Sequence, residues 1–249
     1  MAVDEALMDA AREGRVVLRL YRWAPPCLSF GRNQRAEGLY DLAAARREGI
    51  DLVRRPTGGR AVFHHRELTY SVVAPAELWG GLRRSYRRIN RALLLGVRRL
   101  GASVREAERS GRRAPGPGTR ACFRDPLPGE ITAAGRKLIG SAQWRDRDAL
   151  LQHGSLILHD EQEVAERLRL GSEGEADDAT GDGGPVRAAA LADLLGRAPE
   201  TAELGEALRA GFEEAFGVYV EGAPDGLPGE ARVRELEQKY RDPAWTWRR

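Results

Sequence analysis

Lysine is almost absent from this chain. Of its 40 positively charged side chains, only Lys137 and Lys239 are lysines, and all the others are arginines. Cysteine is scarce as well: Cys27 and Cys122 are too few for a disulfide framework, which favours a reducing compartment such as the cytoplasm. The sequence also lacks any run near the roughly 18 apolar residues that span a membrane, and its N-terminal segment does not resemble a signal peptide. We therefore expect a cytoplasmic protein with no membrane partner.

What the sequence does contain is typical of a soluble globular protein. Apolar residues make up 42% and charged residues 31% of the 249 residues, and the net charge is only +3. Helical and extended patterns are mixed without strict βαβ alternation, which favours the α+β fold class. Residues 171–185 are acidic and rich in glycine, so we expect a disordered loop there.

The spacing of apolar residues predicts the main elements. Helices are expected over residues 1–14 and 82–101. Residues 110–120, "SGRRAPGPGTR", are polar and rich in glycine and proline, as in a flexible loop. The segment that follows, residues 130–158, reads as three strands joined by two turns, the first of them at Gly135.

The segment "RRPTGGRAVFHH", residues 54–65, is a first candidate for chemistry. A Gly-Gly turn lets backbone N–H groups approach a ligand closely, although an ordinary hairpin turn would explain the pattern equally well. The turn is flanked by Arg54, Arg55 and Arg60. Neighbouring residues on a strand point to opposite faces, so at most one of His64 and His65 faces the loop. No spacing of Cys, His and carboxylates matches a zinc site, so no metal is expected.

Cys122 is a second candidate. Cys27 lies in the apolar run "WAPPCLSF" and fits a buried apolar side chain. Cys122 instead follows the 110–120 loop and stands between Arg120 and Arg124. Positive neighbours stabilise a thiolate, so this local pattern favours a nucleophile.

Lys137 is a third candidate, because it is a lysine in a chain that otherwise uses arginine. An arginine holds a charge but does not give up its proton at physiological pH. A lysine can do so when burial or nearby cations lower its pKa from about 10.4, and Arg136 is adjacent. The pattern therefore indicates a required amine, although Lys239 shows that a lysine also occurs on an ordinary helix face.

The predicted helix over residues 82–101 has one strongly basic face. Its arginines at helical spacing are Arg83, Arg84, Arg87, Arg88 and Arg91. The residues available for the opposite face are Leu82, Tyr86, Ile89, Leu93 and Leu94. The basic face is either a solvated surface or a dock for an acidic macromolecule, and charge alone does not choose between them. No recognised nucleic-acid-binding motif is present, so no nucleic-acid partner is expected.

Three ordered motifs, "RRPTGGRAVFHHRELTYSV", "GRKLIGSAQ" and "LLQHGSLIL", together resemble the catalytic domain of the lipoate–protein ligase and biotin–protein ligase superfamily. The resemblance runs from about Asp4 to Leu158. It implies a mixed central β-sheet flanked by helices, in a single catalytic domain. By this resemblance the single domain spans residues 1–249, with a core over 1–165 and a helical segment over 186–249. Because Met1 stands where the first helix of the family has usually begun, we expect the natural start to lie upstream.

Several departures from the ligase pattern favour the octanoyltransferase branch of this superfamily. Ligases usually carry three consecutive glycines and a His-Asp pair, where this chain has Arg60 and His65. The chain also lacks the accessory domain that many lipoate ligases carry. Cys122 occupies the loop in which the octanoyltransferases carry their nucleophilic cysteine.

The resemblance implies octanoyl transfer from acyl carrier protein to a lysine of a lipoyl domain or of the glycine cleavage H protein, without a cofactor. Cys122 would form the acyl thioester and Lys137 would handle protons, and His64 could help to activate the thiol. The implied substrate-binding residues are Arg54, Arg55, Thr57, Gly58, Gly59, Arg60, His64, Gly140, Ser141, Gln143, Gln152 and His153. Val62, Leu138 and Ile139 are candidates for an apolar acyl tunnel.

Three alternatives remain open at this point. An ATP-dependent lipoate–protein ligase would need ATP and Mg²⁺ and would not need Cys122. A lipoyl amidotransferase would use the same cysteine with octanoyl-H protein as its donor. A non-catalytic module that docks lipoyl domains would need neither Cys122 nor Lys137.

Overall fold

The fold is described from a computed structural model, which covers residues 1–108, 123, 128–170, 187–222 and 224–248. The described helices are α1 (Ala2–Arg12), α2 (Leu42–Arg47), α3 (Leu82–Arg99), α4 (Glu163–Arg167), α5 (Leu191–Leu195), α6 (Thr201–Phe216), α7 (Glu230–Arg241) and α8 (Pro243–Thr246). The described strands are β1 (Val17–Tyr21), β2 (Cys27–Phe30), β3 (Asp51–Arg54), β4 (Val62–His64), β5 (Glu67–Pro75), β6 (Arg105–Glu106), β7 (Ile131–Ala133), β8 (Arg136–Asp146) and β9 (Ala149–Ile157).

The strands form two sheets. The larger sheet has six strands in the order β1-β5-β9-β8-β7-β6, and its neighbouring strands pair antiparallel. In the three-stranded sheet, β3-β2-β4, the β2–β3 pair is parallel and the β2–β4 pair is antiparallel. The predicted α+β class, with helices flanking a central sheet, is confirmed.

One face of the large sheet carries the main apolar core. Side chains of β5 and β9 that alternate along the strands, such as Tyr70 and Leu156, pack there against Ile89 and Leu93 of α3. Helix α6 packs so closely on α3 that a Cβ atom at Gly211 would collide with backbone atoms of α3. This packing fixes α3 firmly against the sheet.

The middle of the opposite face of the large sheet is polar. Thr69 and Ser71 of β5 and His153 and Ser155 of β9 are buried there, next to α1 and the small sheet. Buried polar side chains need hydrogen-bond partners, and the partners on this face come from distant parts of the chain. The candidate site lies on this face.

Several expectations from the sequence can now be placed. The helices expected over 1–14 and 82–101 are found with 11 and 18 residues, and Gly135 turns between β7 and β8 with φ of +76°. The loops at 110–120 and 171–185 lie outside the described residues. None of the helices in the described part of the chain is both long and apolar enough to cross a membrane.

Candidate active site

Lys137 is buried in the candidate site and paired with a carboxylate. Its Nζ atom is 2.7 Å from Oε1 of Glu130, and the two side chains are only 2% and 3% exposed. The ring of Phe123 lies beside the same ammonium group, with its centroid 5.1 Å from Nζ. The sequence suggested cations around this amine, but the charged contact that the structure describes is an anion.

A β-bulge directs Lys137 toward the polar face of the sheet. Ile131 pairs with Ile139 and Thr132 with Lys137, so one step along β7 matches two steps along β8 and Leu138 is the extra residue. Leu138 and Ile139 consequently both lie in the core against α3, and their role in an acyl tunnel stays a prediction. Lys137 points the other way.

Gly140 leaves room for this arrangement. A Cβ atom at this position would lie 2.9 Å from Cζ of Phe123 and 3.1 Å from Cε of Lys137, closer than real Cβ contacts allow. Phe123 also forms a small apolar cluster with Val62, the remaining tunnel candidate. Phe123 directly follows Cys122 in the sequence, and Cys122 itself lies outside the described residues.

Arg55 holds the Gly-Gly loop in shape. Its Nη2 atom donates to the main-chain oxygens of Gly58 and Arg60 at 3.1 and 2.6 Å. Its Nη1 atom donates to Oγ of Ser29 at 2.9 Å, which ties the loop to β2. Gly59 has φ of +97°, a left-handed conformation that favours glycine. The loop is therefore built around the Arg55 guanidinium.

Arg54 lies behind this loop rather than in it. Its buried guanidinium donates to the main-chain oxygens of Gly31, Gln34 and Thr246, at 2.7, 2.7 and 2.8 Å. These bonds tie β3 to the segment after β2 and to the end of α8. The resemblance implies a substrate-binding role for Arg54, whereas its described hydrogen bonds all support the scaffold.

His153 links the Gly-Gly loop to α1. Its Nε2 atom is 2.6 Å from Oγ1 of Thr57, and its Nδ1 atom is 3.4 Å from Oδ2 of Asp4. Burial lowers the pKa of His153, although Asp4 acts to raise it. Burial alone would raise the pKa of Asp4, but the hydrogen bond with His153 and nearby positive charges, including Arg19, hold it well below its ordinary value. Thr57 and His153 thus form one buried, connected group.

His64 forms a second chain of an acid, a histidine and a hydroxyl. Its Nδ1 atom is 2.7 Å from Oε1 of Glu67, and its Nε2 atom is 2.7 Å from Oγ of Ser29. Both ring nitrogens therefore have described partners within the protein, and the ring stacks on Trp23 at a centroid distance of 4.6 Å. His65 points outward to Glu161, so the two adjacent histidines face opposite ways, as the strand pattern predicted.

Ser141, Gln143 and Gln152 lie on the other face of the sheet. Oγ of Ser141 accepts from the Tyr70 hydroxyl at 2.7 Å, and Nε2 of Gln152 donates to the same hydroxyl at 2.9 Å. Nε2 of Gln143 donates to Oε1 of Gln152 at 2.9 Å. Because side chains alternate along a strand, these three are brought together with α3 and not with His153. Their placement in the same pocket wall as His153 is therefore corrected.

Four of the buried groups near the candidate site were not found from the sequence: Asp4, Ser29, Glu67 and Glu130. A signal existed for Asp4, because it stands at helical spacing with the apolar residues Leu7, Met8 and Ala11 of α1. Within the described ranges, no group of three or more His, Cys, Asp and Glu side chains is arranged to hold a metal ion.

Comparison with known proteins shows to which family the chain belongs. A family model for the lipoyl protein ligase A/B catalytic domain matches residues 1–213. The octanoyltransferase LipM of Kyrpidia tusciae is 42% identical over 261 aligned positions, which cover 100% of this chain and 94% of that protein. The octanoyltransferase LipM of Moorella thermoacetica is 42% identical over 258 positions, which cover 100% and 93%.

Solved structures show the same architecture. A crystal structure of lipoate-protein ligase A bound with ATP has a TM-score of 0.78 at 25% identity, over 99% of this chain and 92% of that one. The putative lipoate protein ligase Ta0514 of T. acidophilum with bound lipoic acid has a TM-score of 0.74 at 26% identity, over 99% and 92%. The full-length sequence similarity and the shared fold show that this chain belongs to the lipoyl protein ligase A/B catalytic domain family.

Proposed function

We propose that this chain is an octanoyltransferase of lipoate biosynthesis, which moves an octanoyl group from a carrier thioester to a protein lysine through an acyl thioester on Cys122. The observation that carries the proposal is the contact between the buried Lys137 and Phe123, the residue that follows Cys122. Relatives named octanoyltransferase LipM, 42% identical over the whole chain, support the same reaction.

In the first step, the Cys122 thiolate attacks the thioester carbonyl of the donor. A new C–S bond forms to Cys122, the bond to the carrier sulfur breaks, and the departing carrier thiolate takes a proton from the Lys137 ammonium. Lys137 is then a neutral amine beside an octanoyl-cysteine. An arginine could stabilise the charge that develops here but could not donate this proton.

In the second step, the amine of the acceptor lysine attacks the octanoyl-cysteine. A C–N bond forms, the C–S bond breaks, and Lys137 accepts the proton that the attacking amine must lose. Cys122 leaves as a thiolate and Lys137 is again an ammonium, so the enzyme returns to its starting state. The products are an octanoyl amide and the free carrier thiol.

We assign supporting roles to the two histidines. Because both ring nitrogens of His64 have partners, with Glu67 and Ser29, His64 holds β4 against β2 rather than activating the thiol. His153 fixes Thr57 and thereby the Gly-Gly loop, whose backbone would line the acyl group. Both histidines thus shape the site without exchanging protons with the substrate.

The donor thioester is already activated, so this reaction needs neither ATP nor another cofactor. The structural relatives that carry the name lipoate-protein ligase favour the ATP-dependent reaction as the rival. We test the two reactions by mass spectrometry of the intact protein and its peptides after incubation with octanoyl-acyl carrier protein in the absence of ATP. An octanoyl adduct on the Cys122 peptide, absent from Cys122→Ser, is expected. Lipoyl-domain modification that requires lipoate and ATP, with no such adduct, would establish the ligase instead.

We further propose that the donor is an acidic carrier protein and that it docks on α3. The five arginines Arg83, Arg84, Arg87, Arg88 and Arg91 are all exposed. None of them forms an ion pair with an acid in the part of the chain that the structure describes. A surface of unpaired positive charge attracts an acidic protein and raises its association rate.

The docking proposal is tested with two donors. In the triple variant R83E/R87E/R91E, kcat/KM for octanoyl-acyl carrier protein should fall by about 10-fold or more and lose most of its salt dependence. With a small octanoyl thioester as donor, which does not need the α3 surface, the rate should stay within about 2-fold of the parent. Equal activity of variant and parent with the carrier protein would disprove docking on α3.

A further inference from the structure

Glu130 stands out because the reaction just described does not use it, yet it is one of the most buried charges in the protein. It is 2% exposed as a residue, and its carboxylate lies 2.7 Å from Nζ of Lys137. No feature of the sequence marks it, since it ends the polar run "RDPLPGE" just before β7. A buried carboxylate is costly unless it is paired, so a specific role for this one needs to be found.

The segment that carries Glu130 is held in place by the scaffold. The Gly129 oxygen accepts a hydrogen bond from Nδ2 of Asn90 on α3 at 2.7 Å. The main-chain oxygen of Glu130 accepts a hydrogen bond from the Ala107 N–H at 2.7 Å, and the Gly129 N–H donates to the main-chain oxygen of Ala107 at 2.9 Å. The carboxylate is thus presented from a fixed backbone, which is what a group that orients another side chain requires.

We propose that Glu130 is the positioning residue for Lys137: its ion pair fixes the amine in the site and makes it a better proton acceptor in the second step. The inference rests on the proposed function, because it concerns the base of that reaction. The Lys137 amine is neutral once octanoyl-cysteine has formed. A neighbouring carboxylate then stabilises the ammonium that results when the amine takes the proton of the acceptor lysine.

The same charge has the opposite effect on the first step. There, Lys137 gives a proton to the departing carrier thiolate, and an adjacent anion holds that proton back. Removing the charge of Glu130 should therefore slow the transfer to the acceptor far more than the formation of octanoyl-cysteine. A residue that merely supported the fold would affect both steps alike.

The experiment measures the two steps separately in wild type, E130Q, E130D and the control E5Q. Octanoyl-cysteine formation is followed by rapid mixing with octanoyl-acyl carrier protein and mass spectrometry. Its decay is then followed after addition of a lipoyl domain. Glu5 is the matched control, because it forms the ion pair with the other lysine, Lys239, at 2.7 Å from Nζ.

For E130Q we expect octanoyl-cysteine formation within about 3-fold of wild type and a decay by aminolysis about 100-fold slower, so that the acyl-enzyme accumulates. E130D keeps the negative charge on a side chain that is shorter by one methylene. Its aminolysis should be about 10-fold faster than that of E130Q. E5Q should match wild type in both steps. Circular dichroism and thermal melting verify the fold of each variant, and E130D decides the question if E130Q does not fold.

Two results would overturn the inference. Aminolysis by E130Q within about 3-fold of wild type would show that Lys137 does not depend on the carboxylate. Equal loss in both steps, with no recovery in E130D, would reduce Glu130 to a structural role. A failure of the proposed function looks different, since wild type itself would then form no adduct on Cys122.

Discussion

Each of the two lysines of this chain forms an ion pair with a glutamate, but one pair is partly exposed and the other is buried. Lys239 on α7 binds both carboxylate oxygens of Glu5 on α1, at 2.8 and 2.7 Å, and its side chain is 32% exposed. Its ammonium also lies 4.3 Å from the ring centroid of Trp245. The Nζ atom of Lys137 lies 2.7 Å from Oε1 of Glu130, and the side chain of Lys137 is 2% exposed. Lys239 joins two helices at the surface, whereas Lys137 is enclosed in the site.

The difference gives a physical reason why the proposed function needs lysine at one position and not at the other. A guanidinium can hold a carboxylate with two hydrogen bonds and can lie on an aromatic ring, so an arginine could replace Lys239. At Lys137, the proposed reaction moves a proton on and off the nitrogen, which an arginine does not do. The rarity of lysine was therefore informative only in combination with burial.

The largest expected effect is that of replacing Lys137 by arginine, and the same replacement at Lys239 is its control. Lys137→Arg keeps a positive charge but cannot donate and accept the proton that the reaction transfers. Octanoyl transfer should therefore fall by about 100- to 10,000-fold. Lys239→Arg should leave the rate within about 2-fold and the free energy of unfolding within about 0.5 kcal/mol. Steady-state rates and urea unfolding measure both. Activity of Lys137→Arg above about a tenth of wild type would mean that no proton transfer by this amine is needed.

A smaller effect should follow when the space around the buried lysine is filled. In Gly140→Ala the new methyl group would press on Phe123 and on Cε of Lys137. We expect about 1–3 kcal/mol of destabilisation from overpacking and a transfer rate about 10- to 100-fold lower, because the amine is displaced.

Gly222 provides the control for this substitution, because no atom lies within 4 Å of a Cβ built there and its φ is not in the left-handed region. Gly222→Ala should change the free energy of unfolding by less than about 0.5 kcal/mol. Thermal melting and the transfer rate test both variants. Normal activity in Gly140→Ala would show that the position of Lys137 is not critical.

The smallest expected effect concerns the pH dependence of stability. Burial lowers the pKa of His153 below its ordinary value of 6.5, so the unfolded chain binds the proton more strongly than the folded protein does. The contribution of neutral His153 is therefore fully present above that value and is lost as the pH falls from it through the lower pKa of the folded protein. The lowered pKa of Asp4 acts in the same direction at lower pH, below its ordinary value of 3.8.

Urea unfolding at about pH 7.5 and about pH 5.5 measures this effect. The difference in the free energy of unfolding between the two conditions should shrink in His153→Gln and should stay at its wild-type value in Lys239→Arg. An unchanged difference in His153→Gln would mean that other groups cause the pH dependence.

The sequence was most informative where the signal is local. The periods of apolar residues predicted α1 and α3 to within about two residues, and the alternation along β4 separated His64 from His65. The choice of lysine at position 137 drew attention to the residue on which the proposed chemistry depends. These properties depend on neighbouring residues or on side-chain chemistry alone.

The sequence failed where an irregular pairing changes the direction of side chains. Strict alternation along β8 would place Lys137 on the same face as Ile139 and Ser141. The bulge at Leu138 reverses this, and no local pattern marks it, because it arises from the pairing with β7. The partners of Lys137 and His153, Glu130 and Asp4, were missed for a related reason, since the pairing of β7 with β8 and the contact of α1 with β9 decide which side chains meet.

By itself, the sequence determined the α+β class, the positions of the main elements and the residue types available for acyl transfer, because these follow from side-chain size, polarity and chain stiffness. Only the tertiary structure decided which face each polar residue takes and which charges share a buried space. The physical reason is that a buried charge must be neutralised by a partner, and the fold brings that partner from another part of the chain. Asp4 of α1, which pairs with Arg19 and lies beside His153 of β9, is the clearest case.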